Sequence, residues 1–280
     1  MAQLSTSPEK TAPTPPAWWK RYGLPRIFSQ KIRHVPAYSK VAYFYDHLMR
    51  HVNYPRWARY VIDLFALTGE RAVASVLELA CGTGKTLVEL AKTGYNVFGV
   101  DYSFYMAQQA AEALAPFAKN RVWRGDMQTL AVTEPVDAVI CLYDSFNYCL
   151  EPKTARQTLD RVAHAVRRGG LFIFDICTER NCRRNFLNYY ERDDYLEFSY
   201  VRRASFKPYR KMQINEFYIT NEVAGGPGMY ERHAQRIYSL REIEAMIDPE
   251  KWVMTGCFDG MSRRPGTEKS DRVHFVLKRL

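Results

Sequence analysis

From residue 75 the chain repeats one pattern: a short apolar run, a turn, then an amphipathic stretch. The runs are SVLELA (75–80), NVFGVD (96–101), RVWRGD (121–126), DAVICL (137–142) and LFIFDI (171–176). Helical spacing of apolar residues falls between them, at 85–93, 103–118 and 153–167. Strands joined through helices pair in parallel, because the crossover returns the chain to the same end of the sheet. The rhythm therefore predicts a parallel sheet covered by helices on both faces. WVMTGCFDG (252–260) and RVHFVLKRL (272–280) read as a closing pair of strands.

Two regions depart from this rhythm. Residues 180–240 carry YLEFSYVRRASF, KMQINEFYIT and MYERHAQRIYS, which alternate polar and apolar residues and are separated by KPYR and AGGPG turns. They predict an antiparallel layer inserted after the fifth strand. Upstream, Phe44, Leu48, Trp57, Val61, Leu64 and Phe65 recur at helical spacing, and Pro55 suits a first helical turn. Residues 1–17 are rich in Ser, Thr and Pro with no apolar period, as in a flexible tail. The expected division is a tail (1–17), an N-terminal helical lid (18–70), a core (71–179 and 241–280) and a cap (180–240).

The loop in VLELACGTGKT (76–86) admits three ligands. A phosphate-gripping P-loop anchored on Gly84-Lys85-Thr86 needs a glycine where Leu79 stands, so that reading fails. A dinucleotide turn begun at Gly82 needs a third glycine where Leu87 stands. Asp101, at the end of the next strand, suits a ribose hydroxyl pair in either a dinucleotide or S-adenosylmethionine. Glu78 discriminates, because a carboxylate suits a cationic amino-acid tail and repels a pyrophosphate.

The sequence E-L-A-C-G-T-G resembles the (D/E)-x-x-x-G-x-G motif of class I S-adenosylmethionine-dependent methyltransferases. Further matches follow in that family's order: VFGVDYSFYM, RGDMQTL, DAVICLYDSFNYCL and AVRRGGLFIFDI. The resemblance spans roughly residues 40–280. It implies a Rossmann-like, doubly wound, seven-stranded, mostly parallel α/β sheet with the lid and antiparallel cap described above. It implies S-adenosylmethionine as cofactor, with S-adenosylhomocysteine as product. The implied cofactor residues are Glu78, Ala80, Cys81, Gly82, Gly84, Asp101, Tyr102, Met106, Gly125, Asp126, Met127 and Leu142. Among them Asp101 would hold the ribose, Tyr102 and Met106 would cover the adenine, and Asp126 with the Met127 N–H would read its edge.

YFYDHLM (43–49) is similar to the Y-D-x-L-M helix of small-molecule methyltransferases, including sugar-amine N-methyltransferases. That likeness places Tyr45 beside the sulfonium and the acceptor. His233 is the expected base or acceptor-orienting group, because an unperturbed imidazole titrates near ~6.5. Asp144, Asn147 and Tyr148 follow the fourth strand, where open α/β sheets place ligands. Asp144 is a catalytic candidate; Asn147, Tyr148 and Arg236 are expected to touch substrate. The cap's eleven Lys/Arg against seven Asp/Glu leave room for an anionic acceptor or simply a solvated face.

The expected activity is methylation of nitrogen or oxygen on a small polar organic acceptor. The alternative is a nucleic-acid methyltransferase, favoured by the formal charge of +10 and by WWKRYGLPRIFSQKIRHV, where aromatic and basic residues interleave. Against it, the fourth strand exits into LYDSFN and not the N/D-P-P-Y/F typical of base-amino methylation. The six cysteines form no C-x-x-C pair, so zinc and redox spacings are missing and no metal is expected. Reduced thiols point to the cytoplasm, and no apolar run reaches membrane-spanning length. A monomer or homodimer is expected.

Overall fold

The computed structural model describes residues 32–117, 121–221 and 223–280. The expected tail and the Trp-rich basic stretch up to residue 31 lie outside them. The described residues build two sheets.

The larger sheet holds β2 (Ser75–Leu79), β3 (Asn96–Asp101), β4 (Val122–Arg124), β5 (Val136–Cys141), β6 (Val166–Cys177), β11 (Trp252–Asp259) and β12 (Arg272–Arg279). Their order is β11-β12-β6-β5-β2-β3-β4. β2 through β6 pair in parallel, and β12 runs antiparallel between β6 and β11. The sheet is thus the expected seven-stranded, mostly parallel one. β2 lies at its centre and all five of its residues are buried.

Strand period two sorts the core. Leu77, Leu79, Val139, Cys141, Phe172 and Phe174 face one layer, made by α5 (Pro152–Ala165) and α7 (Leu240–Glu244). Val76, Ala138, Ile140 and Ile173 face the other, made by α2 (Tyr54–Thr68), α3 (Lys85–Lys92) and α4 (Phe104–Leu114). α2 starts where Asn53 accepts from the Arg56 N–H, with Pro55 in the first turn. From β2 the chain winds outward through β3 and β4, then returns to the far side of β2 as β5. That reversal separates the loops after β2 and β5 and opens a crevice at their C-terminal ends.

The smaller sheet, ordered β1-β10-β9-β8-β7, contains β1 (Ile32–His34), β7 (Tyr189–Tyr195), β8 (Phe198–Lys207), β9 (Met212–Asn221) and β10 (Gly228–Arg236). β7 to β10 are antiparallel, as the alternation of 180–240 predicts, and α6 (Glu179–Asn185) leads into them. β1 was not foreseen: within the lid segment, Ile32–His34 form a strand parallel to β10. Three residues, one of them apolar, are too short to show a period. The next segment is a 3-10 turn (Val41–Phe44) and the short α1 (Tyr45–Leu48). Val41, Phe44 and Leu48 bury against Phe198, Tyr200, Phe217 and Ile219, so the lid packs on the cap sheet.

Candidate active site

Three adjoining cavities occupy the crevice, and Tyr45 and Ser145 line all of them. The first, about 360 Å³, lies over the ends of β2, β3 and β4. Ala80, Gly82, Asp101, Tyr102, Met106, Gly125, Asp126 and Met127 line it. The Asp101 carboxylate is buried at the end of β3 and accepts from the Gly82 N–H at 2.9 Å and the Ser103 N–H at 2.8 Å. Burial pushes its pKa up to about 6, against the pull of those two donors. Ala80 holds φ at 51°, a left-handed conformation rare for a residue with a Cβ and frequent at functional turns.

The second cavity, about 40 Å³, lies under the glycine loop and is lined by Glu78, Ala80, Cys81, Gly82 and Leu142. Glu78 is 4% exposed, and its Oε2 has no hydrogen-bond partner. Burial, then the neighbouring Asp101, drives its pKa well up. A lone buried carboxylate oxygen fits a ligand ammonium. Gly84 lines neither cavity. It opens α3 at φ 77°, and a Cβ there would lie 3.0 Å from Ala110 of α4, so its small size serves helix packing.

The third cavity, about 480 Å³, lies between the cap sheet and the ends of β5 and β6. His233 stands in it, 3% exposed, with Nδ1 3.4 Å from the Tyr148 hydroxyl. Tyr148 meets the Tyr38 hydroxyl at 2.7 Å and lines the first cavity too. Desolvation holds both phenols, and that of Tyr45, well above the usual tyrosine range, so they stay protonated.

Asp144 is engaged on both oxygens: Arg272 Nη2 donates to Oδ1 at 2.5 Å and Gln235 Nε2 to Oδ2 at 2.5 Å. Arg272 also pairs with the buried Asp175. Burial raises the Asp144 pKa, and Arg272 opposes the rise. Tyr143 and Asp144 both take positive φ, 61° and 55°, turning the chain out of β5 into the crevice.

Two expected substrate residues lie elsewhere. Asn147 is fully buried, donates to the Arg236 carbonyl at 2.6 Å and accepts from the Cys177 N–H at 3.0 Å. It clamps the turn after β5 to β6 and β10 and lines none of the three cavities. Arg236 is an odd number of positions from His233, so it emerges on the opposite face of β10. There it approaches Glu242 at 3.4 Å and covers the Tyr238 ring.

The same parity brings in residues the sequence reading missed, Gln213, Asn215 and Phe217 of β9 and Gln235 of β10, which line the third cavity. Arg202 of β8, one of the cap cations weighed for an anionic acceptor, lines it with them. So does Tyr38, while Glu231, on the His233 face, holds the lid from beneath. Its carboxylate accepts from the N–H groups of Tyr38 (2.8 Å), Val41 (2.9 Å) and Lys40. Counting by twos from His233 would have found Glu231 and Gln235.

A seven-stranded sheet with this strand order, a glycine turn after β2 and a carboxylate at the end of β3 define a nucleoside-binding enzyme of the methyltransferase fold. The methyltransferase domain family matches residues 76–170. A Geobacillus sp. (strain WCH70) protein that carries a methyltransferase name is 30% identical over 247 residues, spanning 86% of this chain and 99% of its own. An S-adenosylmethionine-dependent methyltransferase from Clostridium acetobutylicum shares the fold, with a TM-score of 0.73, 24% identity and coverage of 86% and 98%. So does CalS10 from Micromonospora echinaspora, an amino pentose methyltransferase, with a TM-score of 0.65, 18% identity and coverage of 85% and 96%. The chain belongs to the S-adenosylmethionine-dependent methyltransferases, and S-adenosylmethionine is its cofactor.

Proposed function

We propose that the enzyme N-methylates a small polar amine held in the third cavity. One observation carries this reading: a cavity of about 480 Å³ between the cap sheet and the ends of β5 and β6 shares Tyr45 and Ser145 with both of the smaller cavities assigned to the cofactor. An acceptor there sits beside the transfer point under the cap sheet. A cavity of that volume between two sheets suits a small molecule, whereas a nucleic-acid strand binds along an open basic groove.

When bound, S-adenosylmethionine supplies an electrophilic methyl group on a sulfonium. Glu78 would hold its ammonium, Asp101 its ribose hydroxyls, and Met106, Asp126 and Met127 its base. Tyr38, Tyr45 and Tyr148 wall the junction. The protonated phenols are poor bases, and Asp144 is engaged by Arg272 and Gln235. His233 Nδ1, through the Tyr148 hydroxyl, is then the position that would take the proton an amine releases once methylated. An amine, with its own lone pair, can attack before it loses a proton, whereas a hydroxyl needs a base first. The likeness in fold to an amino pentose methyltransferase supports the same choice.

The test is transfer of radiolabelled methyl from S-adenosylmethionine to a panel of small amines, matched alcohols and bulk RNA. Label in an amine supports the reading; label confined to RNA or to alcohols overturns it.

A further inference from the structure

We infer that the acceptor carries an oxyanion, a carboxylate or a phosphate, and that Arg202 receives it; this rests on the third cavity being the acceptor site. Among the described residues lining that cavity, Asp144 is the carboxylate, and Arg272 is already bound to it. Arg202 is the other guanidinium on the wall, and its ionic partner lies off the wall. Its Nη1 comes no closer than 3.8 Å to Glu191 Oε2, beyond hydrogen-bond range. That oxygen already accepts from the Tyr189 hydroxyl at 2.9 Å.

The guanidinium is held in place for a ligand. Its Nε and Nη2 both donate to the Asn215 side-chain oxygen, at 3.3 and 3.1 Å. Its carbon lies 5.2 Å from the Tyr189 ring centre and 5.7 Å from that of Phe217, so two aromatic side chains restrict its swing. The side chain is about a quarter exposed. A fixed, half-buried guanidinium with one nitrogen unmatched suits an oxyanion, since little further ordering is needed on binding. The Asn215 and Gln213 amides line the same wall and suit further polar groups of such a ligand.

Arg202 lines only the third cavity, whereas Tyr45 and Ser145 line all three. The cavity is therefore bipolar. Beside Ser145, which the cofactor cavities share, the Asp144 carboxyl group on the wall offers acceptor oxygens that suit an amine; the Arg202 wall suits the anion. The acceptor class is an amine bearing a carboxylate or phosphate on the same small skeleton.

Glycine, aminoethyl phosphate and 2-aminoethanol distinguish the sources. Each is titrated into the S-adenosylhomocysteine-saturated protein and assayed as methyl acceptor, in wild type, Arg202→Lys and Arg202→Gln. The expected result is binding and turnover of one or both anionic amines above 2-aminoethanol. Arg202→Gln should raise their KM at least about tenfold, with Arg202→Lys between, and leave S-adenosylhomocysteine affinity unchanged. Preference for glycine assigns a carboxylate, and preference for aminoethyl phosphate assigns a phosphate. Equal use of 2-aminoethanol, no binding of either anionic amine, or an unaltered KM in Arg202→Gln overturns the inference. Turnover of neutral amines would leave the amine-acceptor reading standing; label confined to RNA would remove that reading itself.

Discussion

Glu231 and Tyr38, 193 residues apart in the chain, are joined where the buried carboxylate of one accepts the backbone N–H of the other at 2.8 Å. The same carboxylate takes the N–H groups of Lys40 and Val41, and Ser103 Oγ donates to the Tyr38 carbonyl at 2.9 Å. The lid is thus fastened to the cap on one side and to the loop after β3 on the other. It carries Tyr38 and Tyr45, which wall the first and third cavities.

Glu231→Gln therefore loosens the lid. The amide keeps one acceptor oxygen but turns N–H groups toward backbone donors. Charge-assisted hydrogen bonds contribute about 1.5–3 kcal/mol each, so a loss of about 3 kcal/mol in unfolding free energy is expected. S-adenosylhomocysteine should dissociate faster, measured by stopped-flow displacement. Unchanged dissociation would show that the lid does not retain the cofactor.

Binding of S-adenosylhomocysteine should release protons. Burial raises the Glu78 pKa in the free protein, and a ligand ammonium beside it would bring that value down. Affinity then rises with pH across the range where the free carboxyl is protonated. Asp101, raised to about 6, adds the same sign below that pH, because its ionised form is the better hydroxyl acceptor. Calorimetry in two buffers of different ionisation enthalpy counts the protons; Glu78→Gln should abolish most of the release and weaken binding at least about tenfold.

For stability alone the same shift has the opposite sense. The folded Asp101 pKa exceeds its unfolded value, so this group is least unfavourable below the unfolded pKa. It destabilises the empty protein as pH rises from about 4 to about 6. Asp101→Asn should flatten the melting temperature of the empty protein over that window, while reducing cofactor affinity.

Gly84→Ala and Asn147→Ala should act on stability and spare cofactor binding. A methyl at Gly84 meets Ala110 at 3.0 Å in a left-handed conformation, a cost of about 1–3 kcal/mol. Removing the Asn147 amide leaves the buried Cys177 N–H and Arg236 carbonyl without partners, about 1–3 kcal/mol each. Denaturant titration measures both, and calorimetry with S-adenosylhomocysteine checks that affinity holds within about twofold.

What was legible in the sequence follows from which forces are local. Apolar runs such as SVLEL and VDAVIC mark buried parallel strands by composition alone, and α2, α3 and α5 announce themselves by period and first-turn residues. The glycine loop names its ligand because Glu78 is out of place among apolar neighbours. The cap was legible as strands but not as faces. His233 and Arg236 stand three apart on one strand, and only pairing with β9 shows which of them points into the cavity. Asn147 reads as a ligand-binding residue because of where it stands, yet its amide is closed by contacts 30 and 89 positions away. Glu231 was passed over for the same reason: what it holds lies at the other end of the chain.

The central claim is that three cavities meeting at Tyr45 and Ser145 form one methyl-transfer site. A crystal structure of the S-adenosylhomocysteine complex tests it most directly. The account predicts the adenine between Met106 and Asp126, the ammonium at Glu78, and the sulfur at the Tyr45–Ser145 junction facing the cavity that holds His233 and Arg202. A sulfur turned away from that cavity, or a ligand seated in the larger cavity itself, would contradict it.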